Sequence, residues 1–442
     1  MLKTFPKGGV HPAENKLSKG KKIEKLNMPE TVTIPISQHI GAPAVPVVNK
    51  GDIVKIGQLI AKSGGFVSAN IHSSVSGKVL KIEPSMDASG YKRMSIIIKV
   101  EGEEYEPDID LSDTLVKECS LNADEIKKRI ADKGIVGLGG ATFPTHVKLS
   151  VPPGKTAEHL VINAVECEPY LTADHQLMME KPDEILVGCS IMAKAIGVNK
   201  VLIGIENNKP DAIKLFKEKA VSFNNIEIYA LKVKYPQGGE KQLIKALINR
   251  EVPSGGLPID VGCVVQNVGT AFAVYEAVQK NKPLYERVVT VTGKNVKNPV
   301  NLLAKVGTPI SELIELAGGL PEDTGKIVNG GPMMGKAVNN QQIPVTKGTS
   351  GILLFPNKLA KRPEVYNCIR CSRCTHVCPM NLEPHLLKNL SNKALWEELE
   401  KERVLDCIEC GSCSYTCPAG IPLLDYIRLG KANLNRIIRS RK

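Results

Sequence analysis

Cys368-x2-Cys371-x2-Cys374-x3-Cys378-Pro379 is followed by Cys407-x2-Cys410-x2-Cys413-x3-Cys417-Pro418, the second run repeating the first cysteine for cysteine. Three cysteines at this spacing wrap one face of a [4Fe–4S] cube, because each thiolate must reach a different iron. The fourth, placed just before proline, ligates the neighbouring cluster. This assigns Cys368, Cys371, Cys374 and Cys417 to one cluster and Cys407, Cys410, Cys413 and Cys378 to the other. The crossing ties the two halves together and holds the clusters near enough for electrons to pass. A zinc ribbon is the competing reading, but zinc sites pair two C-x2-C knuckles at longer separations.

A chain of 442 residues suggests roughly three domains, and 42% hydrophobic content supplies a sizeable core. Eight of the 12 cysteines sit in the two runs, while Cys119, Cys167, Cys189 and Cys263 are scattered and suggest no disulfide framework. Iron–sulfur ligation with unpaired thiols points to a reducing cytoplasm. The first 30 residues are lysine-rich without an apolar core, so no signal peptide is expected. No apolar run reaches the 18 residues that a span needs, so membrane association is expected to be peripheral. With 4% aromatics and no nucleic-acid motif, the net charge of +12 does not point to nucleic acid. It suits anionic lipid headgroups or an acidic electron carrier, or simply a solvated face. The basic stretches are Lys16, Lys19, Lys21, Lys22 and Lys25, and Arg436, Arg439, Arg441 and Lys442.

In chain order, residues 1–28 read as an extended arm containing Gly8-Gly9-Val10-His11-Pro12. Residues 29–105 hold short β-type runs, Thr31–Ile36, Ile53–Ile56, Gly77–Ile82 and Met94–Val100, broken by turn residues. Gly51–Ala61 and Ser74–Val79 resemble the two halves of a biotinyl/lipoyl-type sandwich. The tip between them, Gly64–Asn70, has no lysine to modify, so the module is expected to be structural.

A helix over Asp124–Asp132, capped by Asn122, leads into the loop Gly134–Lys148. There Gly137, Gly139 and Gly140 allow close backbone approach and offer N–H groups to a phosphate. Thr142 stands where the dinucleotide fingerprint needs its third glycine. Strands at His159–Ala164, Val201–Ile205 and Ile226–Leu231 then alternate with helices at Asp183–Ile196, Pro210–Ser222 and Lys241–Arg250. That alternation predicts a doubly wound, Rossmann-like parallel sheet over residues 115–280. Polar groups collect where its strands end, at Asn163–Pro169, Tyr235–Glu240 and Val265–Thr270.

These loops appear in the order found in the flavin- and NADH-binding subunit of respiratory complex I, which this part of the chain resembles. The resemblance implies that Gly137, Gly139, Gly140 and Lys148 contact FMN or its phosphate, and that Asn163, Glu166, Tyr235, Gly238, Glu240, Asn267 and Thr270 line the rest of the pocket. It also implies that Phe143 stacks on the nucleotide and that Glu168 lies near the nicotinamide as the catalytic candidate. Val165, Cys167 and Gly239 depart from the pattern, replacing an acid, a glycine and the first of two glutamates. Residues 285–340 resemble the small β-grasp (SLBB-like) module of the same family. They contain a strand at Arg287–Thr292, a helix at Pro309–Ala317 and a glycine-rich turn, Gly330–Gly335, whose Met333 and Met334 read as core filling. Val345–Phe355 reads as a link to residues 360–442, the helical two-cluster domain. Within that domain a helix is expected over Glu383–Arg403, with Leu395, Trp396 and Leu399 facing inward, and another over Gly420–Arg436.

The expected architecture is thus multidomain α/β. A biotinyl/lipoyl-like β-sandwich, a flavin/NADH domain, a β-grasp module and a ferredoxin-type domain with two [4Fe–4S] clusters follow one another. In that order, and with the arm motif Phe5–Pro12, the chain resembles the RnfC family, the C subunits of the Rnf ion-translocating electron transport complexes. The resemblance implies hydride exchange with NAD(H) at FMN and one-electron relay through both clusters. The partners implied are the other subunits of a membrane-bound complex at the cytoplasmic face, with ferredoxin reached through one of them. Two alternatives share parts of this reading: a soluble flavin/iron–sulfur cobalamin reductase, and a non-catalytic adaptor that only wires partners together.

Overall fold

Val32 and Ile34 alternate with Thr31 and Thr33 along one strand, and Ile96 and Ile98 with Ser95, Ile97 and Lys99 along another. Successive strand residues point to opposite faces, so Val32, Ile34, Ile96 and Ile98 come to lie fully buried in one core. The computed structural model describes residues 2–441. In the N-terminal module, strands Thr31–Pro35, Lys92–Val100, Gly77–Met86 and Ile53–Val54 form an antiparallel sheet in that spatial order. It faces a smaller sheet of Val45–Pro46, Leu59–Lys62 and Ile71–His72. The hairpin tip projects Phe66 into solvent, 73% exposed.

The second module is a four-stranded parallel sheet in the order Ile226–Leu231, Val201–Glu206, His159–Ala164, Cys263–Asn267. Val201–Glu206 is buried along its whole length, as a parallel strand covered by helices on both faces must be. Strand order reverses between His159–Ala164 and Cys263–Asn267, whose residues Asn163 and Asn267 stand side by side. The crevice beyond the carboxyl ends at such a reversal is where open α/β sheets bind ligands. Asn122 caps the helix Ala123–Asp132 in a full capping box with Glu125. The helix Ala173–Glu180, not anticipated from the sequence, packs beside the crevice.

The third sheet has six strands in the order Ile23–Lys25, Val300–Lys305, Glu286–Thr292, Gly351–Pro356, Thr324–Asn329, Lys336–Val338. Two of them correct the sequence reading. Ile23–Lys25, at the end of the expected arm, adds a parallel edge strand against Val300–Lys305. Gly351–Pro356, expected to be a link, fills the centre of the sheet between Glu286–Thr292 and Thr324–Asn329. Its run of Ile352, Leu353 and Leu354 is fully buried and so needs cover on both faces.

In the C-terminal module the helix expected over Glu383–Arg403 is two helices, Pro384–Asn392 and Trp396–Lys401. Between them Ala394 takes a left-handed φ of 54°. The bend lets Leu387 and Leu399 both join the core with Ile427 and Leu434 of the long helix Leu423–Ser440. Leu395 is turned out to 42% exposure instead of facing inward.

One buried lysine holds three modules together. Lys347 is 1% exposed. Its Nζ donates to the carbonyls of Asn70 (2.8 Å) in the sandwich and Gly134 (2.7 Å) in the α/β module, while its backbone N–H donates to Gln38 Oε1. Burial alone pushes this ammonium from 10.5 down to about 7. The unfolded chain keeps the proton up to about 10.5 and the folded chain only to about 7, so unfolding takes up a proton in between. Stability therefore rises with pH across that window. Lys347→Met is expected to abolish this rise. It also leaves two buried carbonyls without donors, a cost on the order of 1–3 kcal/mol each. Chemical denaturation at pH 7 and pH 9.5 checks both; a wild-type pH dependence in the variant contradicts the assignment.

Candidate functional site

The glycine loop is shaped by its own backbone and by the far side of the crevice. Gly137 N–H donates to Phe143 O at 2.8 Å, and Leu138 N–H donates to Thr270 Oγ1 at 2.9 Å. At Gly139 a Cβ would come within 3.1 Å of the Asn267 side chain. Gly140 has a φ of 138°, which only glycine adopts readily, and opens onto free space. Asn267 is the N-cap of the helix Val268–Gln279, accepting from Gly269 N (2.8 Å) and Thr270 N (3.3 Å). Asn163 Nδ2 donates to Gly238 O at 2.8 Å, and Cys167 Sγ accepts from Gly238 N at 3.4 Å. Lys148 Nζ pairs with Glu240 Oε1 at 2.5 Å. The predicted residues of the glycine loop, the Asn163 loop, the Tyr235 loop and the Asn267 cap thus meet around one crevice. A backbone cradle that added Cβ atoms would fill, with Lys148 at its rim, suits a flavin nucleotide and its phosphate.

Two carboxylates of the Asn163 loop are held by backbone amides. Glu166, at a φ of 48°, accepts from Asp174 N (2.8 Å) and His175 N (3.2 Å) in the first turn of Ala173–Glu180. Its charge steadies that helix start rather than standing free in the pocket. Glu168 is clasped by the glycine-rich turn of the third module, its two oxygens accepting from Met333 N (3.0 Å) and Met334 N (2.9 Å). At Gly331 any Cβ would collide with this carboxylate. Burial pushes the Glu168 carboxyl up to about 7, against the pull of those two amides. The clasp is made by the backbone amides of Met333 and Met334, while the side chains, expected to fill the core, do not both do so, since Met334 is 45% exposed.

Sequence reasoning missed Asp174 and Arg287. Asp174 accepts from Asn267 Nδ2 at 2.7 Å, and burial, then the charge of Glu166, raises its pKa. Arg287, buried in the third sheet, donates to Leu138 O at 3.3 Å and so ties that sheet to the glycine loop. No local pattern marks either residue.

In the C-terminal module Cys378, Cys407, Cys410 and Cys413 line one pocket together with Leu382, Leu387 and Ile427. This is the crossed set that the spacing predicts. Both cysteine runs fold alike: Arg370 and Glu409 have φ of 56°, and Ser372 and Gly411 have φ of 58° and 78°. These turns curve each run back on itself, as backbone that held a cube would have to, and N–H groups reach sulfur from Leu382 to Cys378 and from Glu409 to Cys407, both at 3.4 Å. Burial pushes Cys407 up to about 11 and Cys413 up to about 12. Such crowded thiols suit a site where iron supplies the charge that ionises them. Cys368 and Cys371 are exposed, and Cys374 and Cys417 half-buried.

The Cys378 pocket is the one that faces the crevice. Tyr235 Oη, buried, donates to Cys410 O at 2.8 Å. Val10 and Tyr235 exchange backbone hydrogen bonds at 2.8 and 2.9 Å, and Gly9 N donates to Val377 O at 2.8 Å. The arm therefore threads between the two modules. At Gly8, with a φ of 66°, a Cβ would lie 2.6 Å from the Cys378 backbone. Gly8→Val is expected to displace Cys378 and to strip the cluster it shares with Cys407, Cys410 and Cys413. Iron content should fall by about half on that assignment. Full iron with two unaltered EPR signals would count against it.

Four family models match consecutive stretches. They are the RnfC barrel sandwich hybrid domain (residues 3–103), the Nuo51 FMN-binding domain (130–276), the SLBB domain (288–337) and a 4Fe–4S dicluster domain (367–421). The C subunit of the Na(+)-translocating ferredoxin:NAD(+) oxidoreductase complex of Acetobacterium woodii is 46% identical, covering 97% of this chain and 96% of its own. Its counterpart from the proton-translocating complex of Clostridium ljungdahlii is 48% identical over 91% of this chain and 87% of its own. A crystal structure of an NAD+-reducing [NiFe]-hydrogenase superposes with a TM-score of 0.50 at 20% identity, over 71% of this chain and 63% of the other, which speaks to fold alone. The chain belongs to the RnfC family, the C subunits of ion-translocating ferredoxin:NAD(+) oxidoreductase complexes.

Proposed function

We propose that this protein carries electrons between NAD(H) and the other subunits of an ion-translocating complex, entering or leaving at the crevice and passing through the two cysteine sets in a fixed order. The observation that supports it most is the buried hydrogen bond from Tyr235, on the rim of the crevice, to Cys410 of the Cys378 pocket. FMN, when bound, supplies the exchange between two-electron hydride chemistry and one-electron transfer that iron–sulfur centres require. On this reading Gly137, Gly139, Gly140 and Lys148 hold its phosphate end, and Asn163, Gly238, Asn267 and Thr270 shape the pocket. Glu240 pairs with Lys148, Glu166 steadies the adjacent helix and Phe143 lies along the nucleotide's approach. Glu168, its carboxyl near neutral pKa, is the group placed to respond to proton uptake beside the site.

The set Cys407, Cys410, Cys413 and Cys378 receives the inner cluster, and Cys368, Cys371, Cys374 and Cys417 the outer one. Around the outer set Val365, Tyr366 and Ile369 stand 58%, 60% and 68% exposed beside Arg370 and Arg373. That apolar and basic face suits a neighbouring protein of the complex, through which ferredoxin is reached. Among the described residues no helix is long and apolar enough to cross a membrane, in keeping with a peripheral place, which we put at the cytoplasmic face. These tasks divide over residues 29–105 as scaffold, 115–280 as flavin module, 285–340 as clasp and 360–442 as wire, with 1–28 as the arm.

Anaerobic protein loaded with FMN and iron is expected to lose flavin absorbance at once when NADH is added. A protein that takes up FMN but is never bleached by NADH would be an adaptor. Cys378→Ala is expected to remove the EPR signal of the inner cluster and to leave flavin bleaching intact while cluster reduction slows at least ten-fold. Loss of the outer signal instead would overturn the crossed ligation.

A further inference from the structure

Lys16 reads in the sequence as one lysine of a solvated basic stretch, yet the residue is half-buried and its ammonium is turned in against the Glu166–Leu171 backbone. Nζ donates to the carbonyls of Glu166 (2.9 Å), Glu168 (3.0 Å) and Leu171 (2.6 Å). A lysine ammonium has three donors and no acceptor, so the three carbonyls use it completely. A neutral amine would turn a lone pair toward one of them. The arm follows the same loop on either side of this contact. Tyr170 N donates to Glu14 O at 2.8 Å, and Ser18 Oγ lies 2.6 Å from Thr172 Oγ1.

From the opposite side Lys209, 2% exposed, donates to Val165 O at 2.7 Å. Two ammonium groups therefore grip the backbone of one short loop. The acid nearest Lys209, Glu206, is itself buried 3.7 Å from its Nζ, and burial pushes that carboxyl up to about 7. The two ammonium groups are opposed by Glu206 and by the Glu166 carboxylate of the loop itself.

We infer that Lys16, supplied by the N-terminal arm, is a positioning residue of the flavin site. It fixes the Glu166–Leu171 backbone in its crevice-lining shape and places a positive charge behind it. The inference rests on the flavin reading of the crevice. Burial lowers the Lys16 pKa, the Glu166 carboxylate opposing that effect, while the three carbonyls that receive its N–H groups are the partners an ammonium satisfies. A positive charge near a flavin favours the negative charge that the ring system gains on reduction, one of the levers by which a protein tunes a cofactor. The same lysine is what makes the arm part of the site instead of a tether.

The test compares wild type, Lys16→Met and Lys16→Arg as full-length, cluster-loaded protein. Two readouts are taken: hydrogen exchange of the Glu166–Leu171 amides without FMN, and the flavin midpoint potential with FMN. Lys16→Met should speed exchange in that loop and shift the flavin reduction equilibrium about ten-fold toward the oxidised form, about 30 mV for a two-electron couple. Lys16→Arg keeps the charge but cannot present three N–H groups from one atom. It should exchange faster yet hold its potential nearer to wild type. Wild-type exchange in both variants overturns the positioning role, and a wild-type potential in Lys16→Met overturns the charge. If Lys16→Met fails to accumulate, Lys16→Arg decides the positioning role alone, wild-type exchange again refuting it. If wild-type protein takes up no FMN, the flavin reading fails, while exchange in the flavin-free protein still shows whether Lys16 holds the loop.

Discussion

The contact of Tyr235 with Cys410 meets a constraint that no single module satisfies: the crevice and the cysteine pocket must lie directly against each other. Tyr235 meets it by being buried at both ends, with its backbone paired to Val10 and its hydroxyl to the Cys410 carbonyl. Such a contact endures only if the two modules cannot slide. Gln242 of the α/β module adds a side-chain contact to Met380 at 3.2 Å, and Arg428 of the last helix reaches Met334 O at 3.3 Å. The glycine-rich turn is thus held by the crevice on one side, through Glu168, and by the cluster module on the other.

This places the β-grasp module in a role that fold alone does not disclose. Its sheet carries Arg287 to the glycine loop and its turn carries two amides to Glu168. The crevice is therefore completed by a part of the chain remote in sequence from the sheet that forms it. The sandwich module is fastened in the same manner by Lys347, so neither flanking module is free to swing.

What the sequence made legible follows from the range of the forces involved. The cysteine spacing is local, because the ligands of one cube come largely from one turn of chain, and the strands His159–Ala164 and Ile226–Leu231 were readable to the residue from local apolar runs. The Asn122 cap was readable for the same reason. The sheet neighbours of Ile23–Lys25 and Gly351–Pro356 were not, since strand pairing across modules leaves no periodic trace. Glu166, Glu168 and Lys16 were placed in the right neighbourhood or the wrong one according to their surroundings in sequence, while their partners lie far away along the chain. A lysine among lysines looks solvated until the three carbonyls that receive it are seen.

The arm also bears on how the molecule is made. Gly8, Gly9 and Val10 find their places between Tyr235 and the Val377–Cys378 backbone, so their partners emerge from the ribosome long after they do. Contacts of such sequence separation form late, after the entropy of closing a long loop has been overcome. The backbone against which Gly8 packs is that of Val377 and Cys378, more than 360 residues further along the chain. Seating of the arm thus joins residues made first to residues made near the end, and one short stretch of chain closes against both modules at once.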